Sequence, residues 1–392
     1  MPWLESAAFT FLVPCGAIYD PPDRLGLSNL LSDLVQRGSG NRSSREFVEA
    51  LERLGVDRSS SVMLTHTSYS GATLADNVLP AIELFADLIR RPVFPADQFD
   101  EARQVCFQEL RAIEDDLAHR TMDRTRGLQF PAPWDRSVSG KSDHVAAMTM
   151  DDVQGLFKAR YEPSDMIISV AGRIDWPQLR DKVESLFGDW SANPSPPINE
   201  VPSTTTEDHT DYDSQQTHIG IAYPSVKHGH KDYYQARGAV GVLSEGMSSR
   251  LFTEVREKEG LCYTVFAAFA PQRDRGAVFC YAASGTDTAQ ETLDITLREL
   301  RRMKDGVTEA ELNRVKAKIK SLLIMQQESS VARSVSMAND WYYLKRIRPM
   351  QEIADAMSGL TAESISDYLR RDPPTEFRVA TLGKESLRIS GT

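Results

Sequence analysis

The chain has 392 residues, of which 41% are hydrophobic and 26% are charged, and its formal net charge at pH 7 is −11. This length is too great for one ordinary hydrophobic core and predicts two domains. The negative charge, with no block of lysines and arginines, argues against a surface for nucleic acid or for an anionic membrane.

The start of the chain is apolar, and we considered whether it is a signal peptide or a membrane segment. Residues 6–19 lack a preceding basic segment and are interrupted by Pro14, which favours a β-strand. No apolar stretch reaches the length of about 18 residues that a transmembrane helix needs. The four cysteines are scattered, as is typical of small buried residues. We therefore expect a cytoplasmic protein without a membrane segment.

The first half of the chain alternates between strand and helix patterns. In chain order the predicted elements are strand 7–14, helices 26–35 and 43–55, an alternating run 59–74, and helices 77–91 and 101–116. The half closes with the segment 151–161 and strand 166–172.

The second half repeats this order. Its predicted elements are strand 218–224, helices 232–246 and 248–260, strands 261–270 and 276–285, and helices 288–303 and 308–327. This half closes with the segment 362–371 and strand 377–383.

The repetition predicts an internally duplicated α+β protein, in which each half is a mixed or antiparallel sheet backed by helices. Between the halves, residues 191–216 are rich in proline, serine and threonine and have no apolar periodicity, which is typical of an extended linker. The predicted domains are therefore residues 1–190 and 217–392.

Several short motifs of this chain are similar to those of one peptidase family. They are GAIYDPP and GLSNLLSD within 16–33, LERLG at 51–55, VCFQEL at 105–110, GMSSRLF at 246–252 and VREKEGLCY at 255–263. Together they resemble pitrilysin, insulinase and the mitochondrial processing peptidase, the inverzincin zinc metallopeptidases. The resemblance implies two α/β-sandwich halves that form one half of a clam-shell of the processing-peptidase type.

Active members of that family carry His-x-x-Glu-His on the first helix, with a distal glutamate as a further zinc ligand. The matching positions here are Asn29, Ser32 and Asp33, and the distal position is Glu109. Asn29, Asp33 and Glu109 offer only oxygen atoms, which suit Mg²⁺ or Ca²⁺ better than Zn²⁺. Ser32 is not a general base near neutral pH. We favour a degenerate motif without metal over a hidden cation site, and we expect no cofactor in this chain.

The second half keeps a different part of the family's machinery. The resemblance implies that Arg256 and Tyr263 donate hydrogen bonds to the substrate carbonyl and to the oxyanion that forms from it. The alternative is that Arg256 is a surface residue paired with Glu254 or Glu259, and that Tyr263 is a half-buried strand aromatic.

The histidines offer weaker signals. His228 and His230 form a His-x-His pair in a polar loop, where solvated side chains are commoner than metal ligands. His66 lies in the alternating run and is interpreted as a hydrogen-bonded structural residue.

Three functions are compatible with these observations. The favoured one is a non-catalytic subunit of a heterodimeric metallopeptidase that degrades or processes peptides, whose homologous partner supplies His-x-x-Glu-His and the zinc. Such a chain is inactive alone. The alternatives are a purely structural subunit, like the core subunits of the respiratory bc1 complex, and a peptide-binding homodimer without hydrolysis.

Overall fold

The structure is a computed structural model that describes residues 1–192 and 197–389. Its strands form two main sheets and one short hairpin. The strands are β1 Ser6–Val13, β2 Gly38–Ser39, β3 Arg42–Ser43, β4 Asp57–Val62, β5 Thr67–Leu74, β6 Ile167–Gly172, β7 Glu207–Asp211, β8 Gln216–Ser225, β9 Cys262–Pro271, β10 Gly276–Gly285 and β11 Arg378–Gly383.

Helices connect and cover these strands. The α-helices are α1 Leu27–Leu34, α2 Ser44–Arg53, α3 Val78–Arg90, α4 Phe99–Asp115, α5 Leu117–Gln129, α6 Ser142–Ala147, α7 Met150–Arg160, α8 Trp176–Phe187, α9 Tyr233–Ser244, α10 Ala289–Arg302, α11 Glu309–Glu328, α12 Ser330–Leu344, α13 Met350–Ser358 and α14 Ala362–Arg371. A π-helix spans Phe252–Lys258, and short 3-10 turns span Ala17–Tyr19, Ala75–Asn77, Ala96–Gln98, Thr286–Thr288 and Met303–Asp305.

The first sheet has the order β4-β5-β1-β6, and its described neighbours are all antiparallel. The core on one face contains Phe9 and Phe11 of β1 and Phe85 of α3, with 4.8 Å between the ring centroids of Phe9 and Phe85. Gly71 of β5 faces Phe9 across the strand pair, and a side-chain carbon at Gly71 would lie 2.4 Å from that ring. Glycine at this position therefore makes room for the aromatic core.

The second sheet has the order β9-β10-β8-β11-β7. Only the β11–β7 pair is parallel among the described strand pairs of this sheet. The core packs Ile219 and Ile221 of β8 against the leucine stripe of α10. That stripe, Leu293, Leu297 and Leu300, is fully buried, as the helical spacing predicts.

The two sheets confirm the predicted duplicated α+β fold. Strands β4, β5, β1 and β6 occupy the same relative places in the first sheet as β9, β10, β8 and β11 in the second. The helices also follow the strands in the same order in both halves. Helix α3 follows the hairpin of β4 and β5, and helix α10 follows the hairpin of β9 and β10.

The two compact units are not contiguous stretches of the chain. One unit comprises Met1–Ala112, Arg136–Glu200 and Gln326–Ile347, and the other comprises Ile113–Asp135, Val201–Met325 and Arg348–Thr392. Helix α5, from the first half, packs on β8 and β11, whereas α12, from the second half, packs on β1 and β6. This differs from the predicted division at 1–190 and 217–392, because each half of the chain contributes one helix to the sheet of the other.

The predicted linker 191–216 contains a strand, which corrects its description as wholly extended and solvated. Strand β7 pairs in parallel with β11, and His209 Nδ1 lies 2.9 Å from Thr381 Oγ1. Its sequence, EDHTD, is polar throughout, so it shows no hydrophobic alternation. Residues 193–196 of the linker lie outside the described residues.

Candidate functional site

Helix α1, which carries the degenerate motif, is held at its first turn by a remote carboxylate. Asp20 Oδ2 accepts a hydrogen bond from the Gly26 N–H at 2.8 Å, and Asp20 Oδ1 accepts from Ser28 N at 2.8 Å and from Ser28 Oγ at 2.6 Å. These bonds satisfy amide groups that a helix start leaves without intrahelical partners. Gly26 adopts φ of 98°, a left-handed conformation that favours glycine. Asp20 therefore fixes the start of the motif helix.

The structure brings the distal position and the first motif position together. Asn29 Nδ2 donates a hydrogen bond to Glu109 Oε2 at 2.7 Å. Asn29 thus presents an N–H donor to the carboxylate, where the family motif places a metal ligand. Cys106, on α4 three residues before Glu109, is buried, and its thiol pKa is raised to about 12 by burial and by the negative charges of Glu109 and Asp33. The Asn29–Glu109 hydrogen bond therefore joins α1 to α4.

The second motif carboxylate is neutralised within the chain. Arg37 Nε donates to Asp33 Oδ2 at 2.5 Å, one helical turn away, and Arg37 Nη1 lies 3.3 Å from Glu101 Oε2. The guanidinium therefore provides the positive charge that a cation would otherwise supply to Asp33. Within the described residues, no group of three or more histidine, cysteine, aspartate or glutamate side chains is arranged to hold a metal ion.

Ser32 faces a buried pair of tyrosines instead of a reaction centre. Tyr69 Oη donates to Ser32 Oγ at 3.4 Å and lies 2.6 Å from Tyr161 Oη. Burial raises the pKa of both phenols, so both stay protonated at neutral pH. No described group beside Ser32 makes its hydroxyl a base.

In the other unit, Arg256 and Tyr263 lie in contact. The Arg256 guanidinium carbon sits 4.7 Å from the centroid of the Tyr263 ring and 4.6 Å from that of Phe252. Both contacts lie within the range of a cation–π interaction. Among the described residues no ion pair joins Arg256 to Glu254 or to Glu259, and Glu254 accepts instead from Lys258 Nζ at 2.8 Å.

Two backbone irregularities place this pair. Arg256 lies in the π-helix Phe252–Lys258, a wider turn than an α-helix. Tyr263 is the extra residue of a β-bulge, since Ala283 pairs with Thr264 and Ser284 pairs with Cys262. A bulge re-aims a side chain from the regular alternation of a strand, and Tyr263 is 77% exposed. The helix and the bulge together stack an exposed phenol on a guanidinium.

The histidine predictions have separate outcomes. His66 is buried, its Nδ1 lies 2.9 Å from Thr65 Oγ1, and its ring lies 5.1 Å from that of Tyr342. His66 is therefore a structural residue, as interpreted. His228 packs against Tyr233, and His230 Nδ1 accepts from the Asp232 N–H at 3.2 Å.

Asp20 and His66 predict opposite pH dependences of stability. Burial raises the pKa of Asp20 to about 6 from 3.8. The stability from its protonation is present below pH 3.8 and is lost as pH rises through about 6, a change of up to about 3 kcal/mol. Burial lowers the pKa of His66 to about 4 from 6.5, so its contribution is present above pH 6.5 and is lost as pH falls through about 4.

As pH rises from 4 to 6, Asp20 is expected to lower the free energy of unfolding, and this decrease should be absent in Asp20→Asn. Over the same interval His66 is expected to raise the free energy of unfolding, and this increase should be absent in His66→Phe. Urea unfolding at several pH values measures both slopes. If the two variants change the slope with the same sign, the protonation assignment is wrong.

Comparisons with known proteins give the family to which the chain is similar. The family model described as insulinase, peptidase family M16, matches residues 4–129, and the model described as peptidase M16 inactive domain matches residues 147–319. The chain is 26% identical over 392 residues to the uncharacterized zinc protease YmxG of Bacillus subtilis, covering 97% of this chain and 94% of that protein. It is 25% identical to the uncharacterized zinc protease Rv2782c of Mycobacterium tuberculosis, covering 100% of this chain and 91% of that protein.

Solved structures share the whole fold. A peptidase M16 inactive domain from Pseudomonas fluorescens superposes with a TM-score of 0.90 at 17% identity, covering 99% of this chain and 95% of that one. A protease from Helicobacter pylori gives a TM-score of 0.86 at 20% identity, covering 96% and 94% of the two chains.

The two family models together account for most of the chain, and the fold agrees with them. The chain belongs to the insulinase family of peptidases, M16, and it is a member in which α1 lacks the zinc-binding motif. Across the described ranges, none of the helices combines the length and apolar character that crossing a bilayer requires.

Sequence reasoning missed three residues of the site. Arg37 forms an ion pair with Asp33, Asp20 accepts hydrogen bonds at the start of α1, and the ring of Phe252 contacts the Arg256 guanidinium. The spacing of four residues between Asp33 and Arg37 on one helix was the sequence signal for their ion pair. The capping bonds of Asp20 depend on how the preceding loop folds back, which a local pattern does not show.

Proposed function

We propose that this chain is the zinc-less subunit of a heterodimeric zinc metallopeptidase and that Arg256 and Tyr263 bind the substrate carbonyl at a zinc site of the partner. The observation that carries the proposal is the contact of the Arg256 guanidinium with the rings of Phe252 and Tyr263. Contacts of a guanidinium with aromatic rings hold its position without using its N–H groups as hydrogen-bond donors to a carboxylate.

The electrostatics of the stack suit a developing oxyanion. In the described part of the chain no carboxylate pairs with Arg256, so its charge is not neutralised internally. Tyr263 adds a phenolic O–H on an exposed ring. A guanidinium and a phenol held together supply donors to an oxygen that gains negative charge in the transition state.

The first unit supports the division of labour between two chains. Its motif positions are occupied by the Asn29–Glu109 hydrogen bond and by the Asp33–Arg37 ion pair. Peptide hydrolysis needs a metal-bound water and a general base. In this proposal both come from a homologous partner that carries His-x-x-Glu-His, and the substrate is an unfolded peptide that lies along a sheet edge.

The proposal is tested by comparing the chain alone with the chain co-purified with such a homologue. We expect the chain alone to contain no stoichiometric zinc and to cleave no peptide, and the pair to cleave a peptide mixture. Metal analysis by mass spectrometry and a peptide digest measure the two outcomes. About one zinc per chain, together with cleavage by the chain alone, would contradict the proposal.

The same preparations separate the alternatives. A structural subunit would assemble with its partner and leave cleavage unchanged when Arg256 is altered. A peptide-binding homodimer would retain peptide without a partner and without hydrolysis. The cytoplasmic location stays a prediction.

A further inference from the structure

Strand β9, which carries Tyr263, lies at an edge of the second sheet. Among the described strands it pairs only with β10. Its outer side therefore presents backbone donors and acceptors that another extended segment can reach. The contacts of β9 show which of these groups are open and which side chains lie beside them.

The Ala267 N–H shows which backbone groups of β9 point away from β10. It donates a hydrogen bond to Ser244 Oγ, at the end of α9, with 2.7 Å between nitrogen and oxygen. In an antiparallel strand the N–H and C=O of one residue point to the same side, and the side alternates along the strand. Val265, two residues before Ala267, therefore directs both groups outward. Within the described residues neither group of Val265 has a hydrogen-bond partner.

Ser244 limits how far an added segment can pair with β9. Because the Ala267 N–H is already bonded to Ser244 Oγ, a peptide beside the strand can bond to Val265 but not to this N–H. In the other direction the regular register of β9 ends at the bulge of Tyr263. The open part of the edge is thus centred on Val265, close to Tyr263 on the same strand.

One face of this edge carries an exposed aromatic ring. Phe266 is 39% exposed, and its neighbours on the same face, Thr264 and Ala268, are exposed as well. The centroid of the Phe266 ring lies 5.4 Å from that of Tyr281, whose Oη is 2.7 Å from His218 Nδ1. Tyr281 and His218 are both buried. The ring of Phe266 therefore rests on a buried support and remains accessible.

The opposite face of β9 belongs to the core. Val265, Ala267 and Phe269 pack, partly buried, against the hydrophobic core of the second unit. Directly opposite residues of paired strands place their side chains on the same face of the sheet. A residue opposite Phe266 therefore has its side chain against the accessible ring, where an apolar group removes the most apolar surface from water.

We propose that the peptide substrate pairs with the edge of β9 through the backbone of Val265, that a bulky apolar side chain of the substrate packs on Phe266, and that Ser244 ends the pairing. The proposal rests on the proposed function, because a peptide held by Val265 passes beside Tyr263. It adds a substrate class, namely unfolded peptides with a bulky apolar residue at a fixed distance from the cleaved bond. The backbone of Val265 sets the register and Phe266 supplies the selectivity.

The binding test uses the chain alone and two fluorescent peptides of about ten residues. In one peptide leucine alternates with serine, and in the other alanine replaces each leucine. We expect the leucine peptide to bind at least ~10-fold more tightly, measured by fluorescence anisotropy, and the two affinities to become equal in Phe266→Ser. The matched control is Tyr212→Ser, which should keep the difference, because Tyr212 is 38% exposed and follows β7 at the opposite edge of the same sheet.

Hydrogen exchange, measured residue by residue, locates the bound leucine peptide. We expect slower exchange of the Val265 amide and unchanged exchange of the Ala267 amide. In Ser244→Ala the Ala267 N–H loses its partner, and the peptide should then protect this amide as well. If the Val265 amide is already protected in the free chain and sedimentation shows a dimer, a second copy pairs with β9 and the substrate assignment is wrong.

The assembled peptidase gives a separate measurement. For peptides with the apolar residue, the effect of Phe266→Ser should appear mainly as a rise in KM of about 10-fold, whereas that of Arg256→Ala appears in kcat. A leucine preference that survives Phe266→Ser, or a Val265 amide that the peptide leaves unprotected, overturns the pairing with β9 even where cleavage depends on Arg256. If the assembled pair cleaves no peptide, the proposed function fails, and the binding measurements still decide the pairing with β9.

Discussion

Replacing Arg256 by alanine is expected to lower the kcat of the assembled peptidase by about 10²–10³, the loss expected for removal of one oxyanion donor. The physical reason is that the guanidinium acts in the transition state, when the carbonyl oxygen gains charge, more than in the bound substrate. The assembly itself should be unchanged, because Arg256 contacts only Phe252 and Tyr263 among the ring and ion-pair contacts described for it. Steady-state peptide hydrolysis and sedimentation measure the two quantities.

Tyr263→Phe separates the two functions of the tyrosine. The variant keeps the ring on which Arg256 stacks and removes only the hydroxyl, so a smaller loss of kcat than in Arg256→Ala assigns the main donor to the guanidinium. Lys258→Ala is the matched control. Lys258 lies on the same π-helix and pairs with Glu254, so its removal should leave kcat unchanged. An unchanged kcat in Arg256→Ala would make the pair structural.

Restoring the motif by Asn29→His, Ser32→Glu and Asp33→His is expected to give a chain that binds about one zinc, whereas the unaltered chain binds none. The backbone that would hold the ligands is present, because α1 already places position 29 within hydrogen-bond distance of Glu109. Arg37 does not have to remain in the site after Asp33 is replaced, since it also pairs with Glu101.

Metal analysis after dialysis measures this gain, and isothermal titration gives the affinity. The matched control adds Glu109→Gln to the triple variant, which removes the distal carboxylate and should weaken zinc binding markedly. If the triple variant binds zinc equally well with and without Glu109, the distal position is not a ligand and the assignment of Glu109 to the family's zinc site is wrong.

The fold could be predicted where hydrophobic periodicity is strong. The helix pattern over residues 288–303 matches α10, which carries a buried stripe at the helical period, and the strand predicted over 276–285 matches β10, a largely apolar run that is buried on both faces. The duplication was visible for the same reason. What the pattern does not show is which helix covers which sheet, since coverage depends on contacts far apart in the chain.

Helices α5 and α12 were absent from the predicted elements, and their composition explains this. They face their sheets with small polar residues, Thr121 and Thr125 in α5 and Ser330 and Ser334 in α12, all of which are buried. Side chains of this kind pack closely on a sheet without producing an apolar stripe. A polar interface of this type is recognisable only from the structure.

The candidate site, like the fold, could be predicted from the sequence only in part. Residue identity sufficed to predict that α1 lacks a base and imidazole ligands. The internal partners of Asn29 and Asp33 and the stack of Arg256 required coordinates, because an arginine four residues from an aspartate forms an ion pair in some helices and not in others. The π-helix and the bulge have no clear sequence signature, yet they determine where Arg256 and Tyr263 lie.

The reciprocal placement of α5 and α12 has a consequence for any attempt to divide this protein. A fragment cut between the two halves would keep α5 but leave the surface of β1 and β6 bare, and the complementary fragment would keep α12 while exposing β8 and β11. Proteolytic cleavage there should therefore yield two fragments that remain associated, because each fragment supplies a helix to the sheet of the other. Neither piece expressed by itself is expected to be a soluble domain, and mixing them during refolding should be the only way to recover either sheet intact.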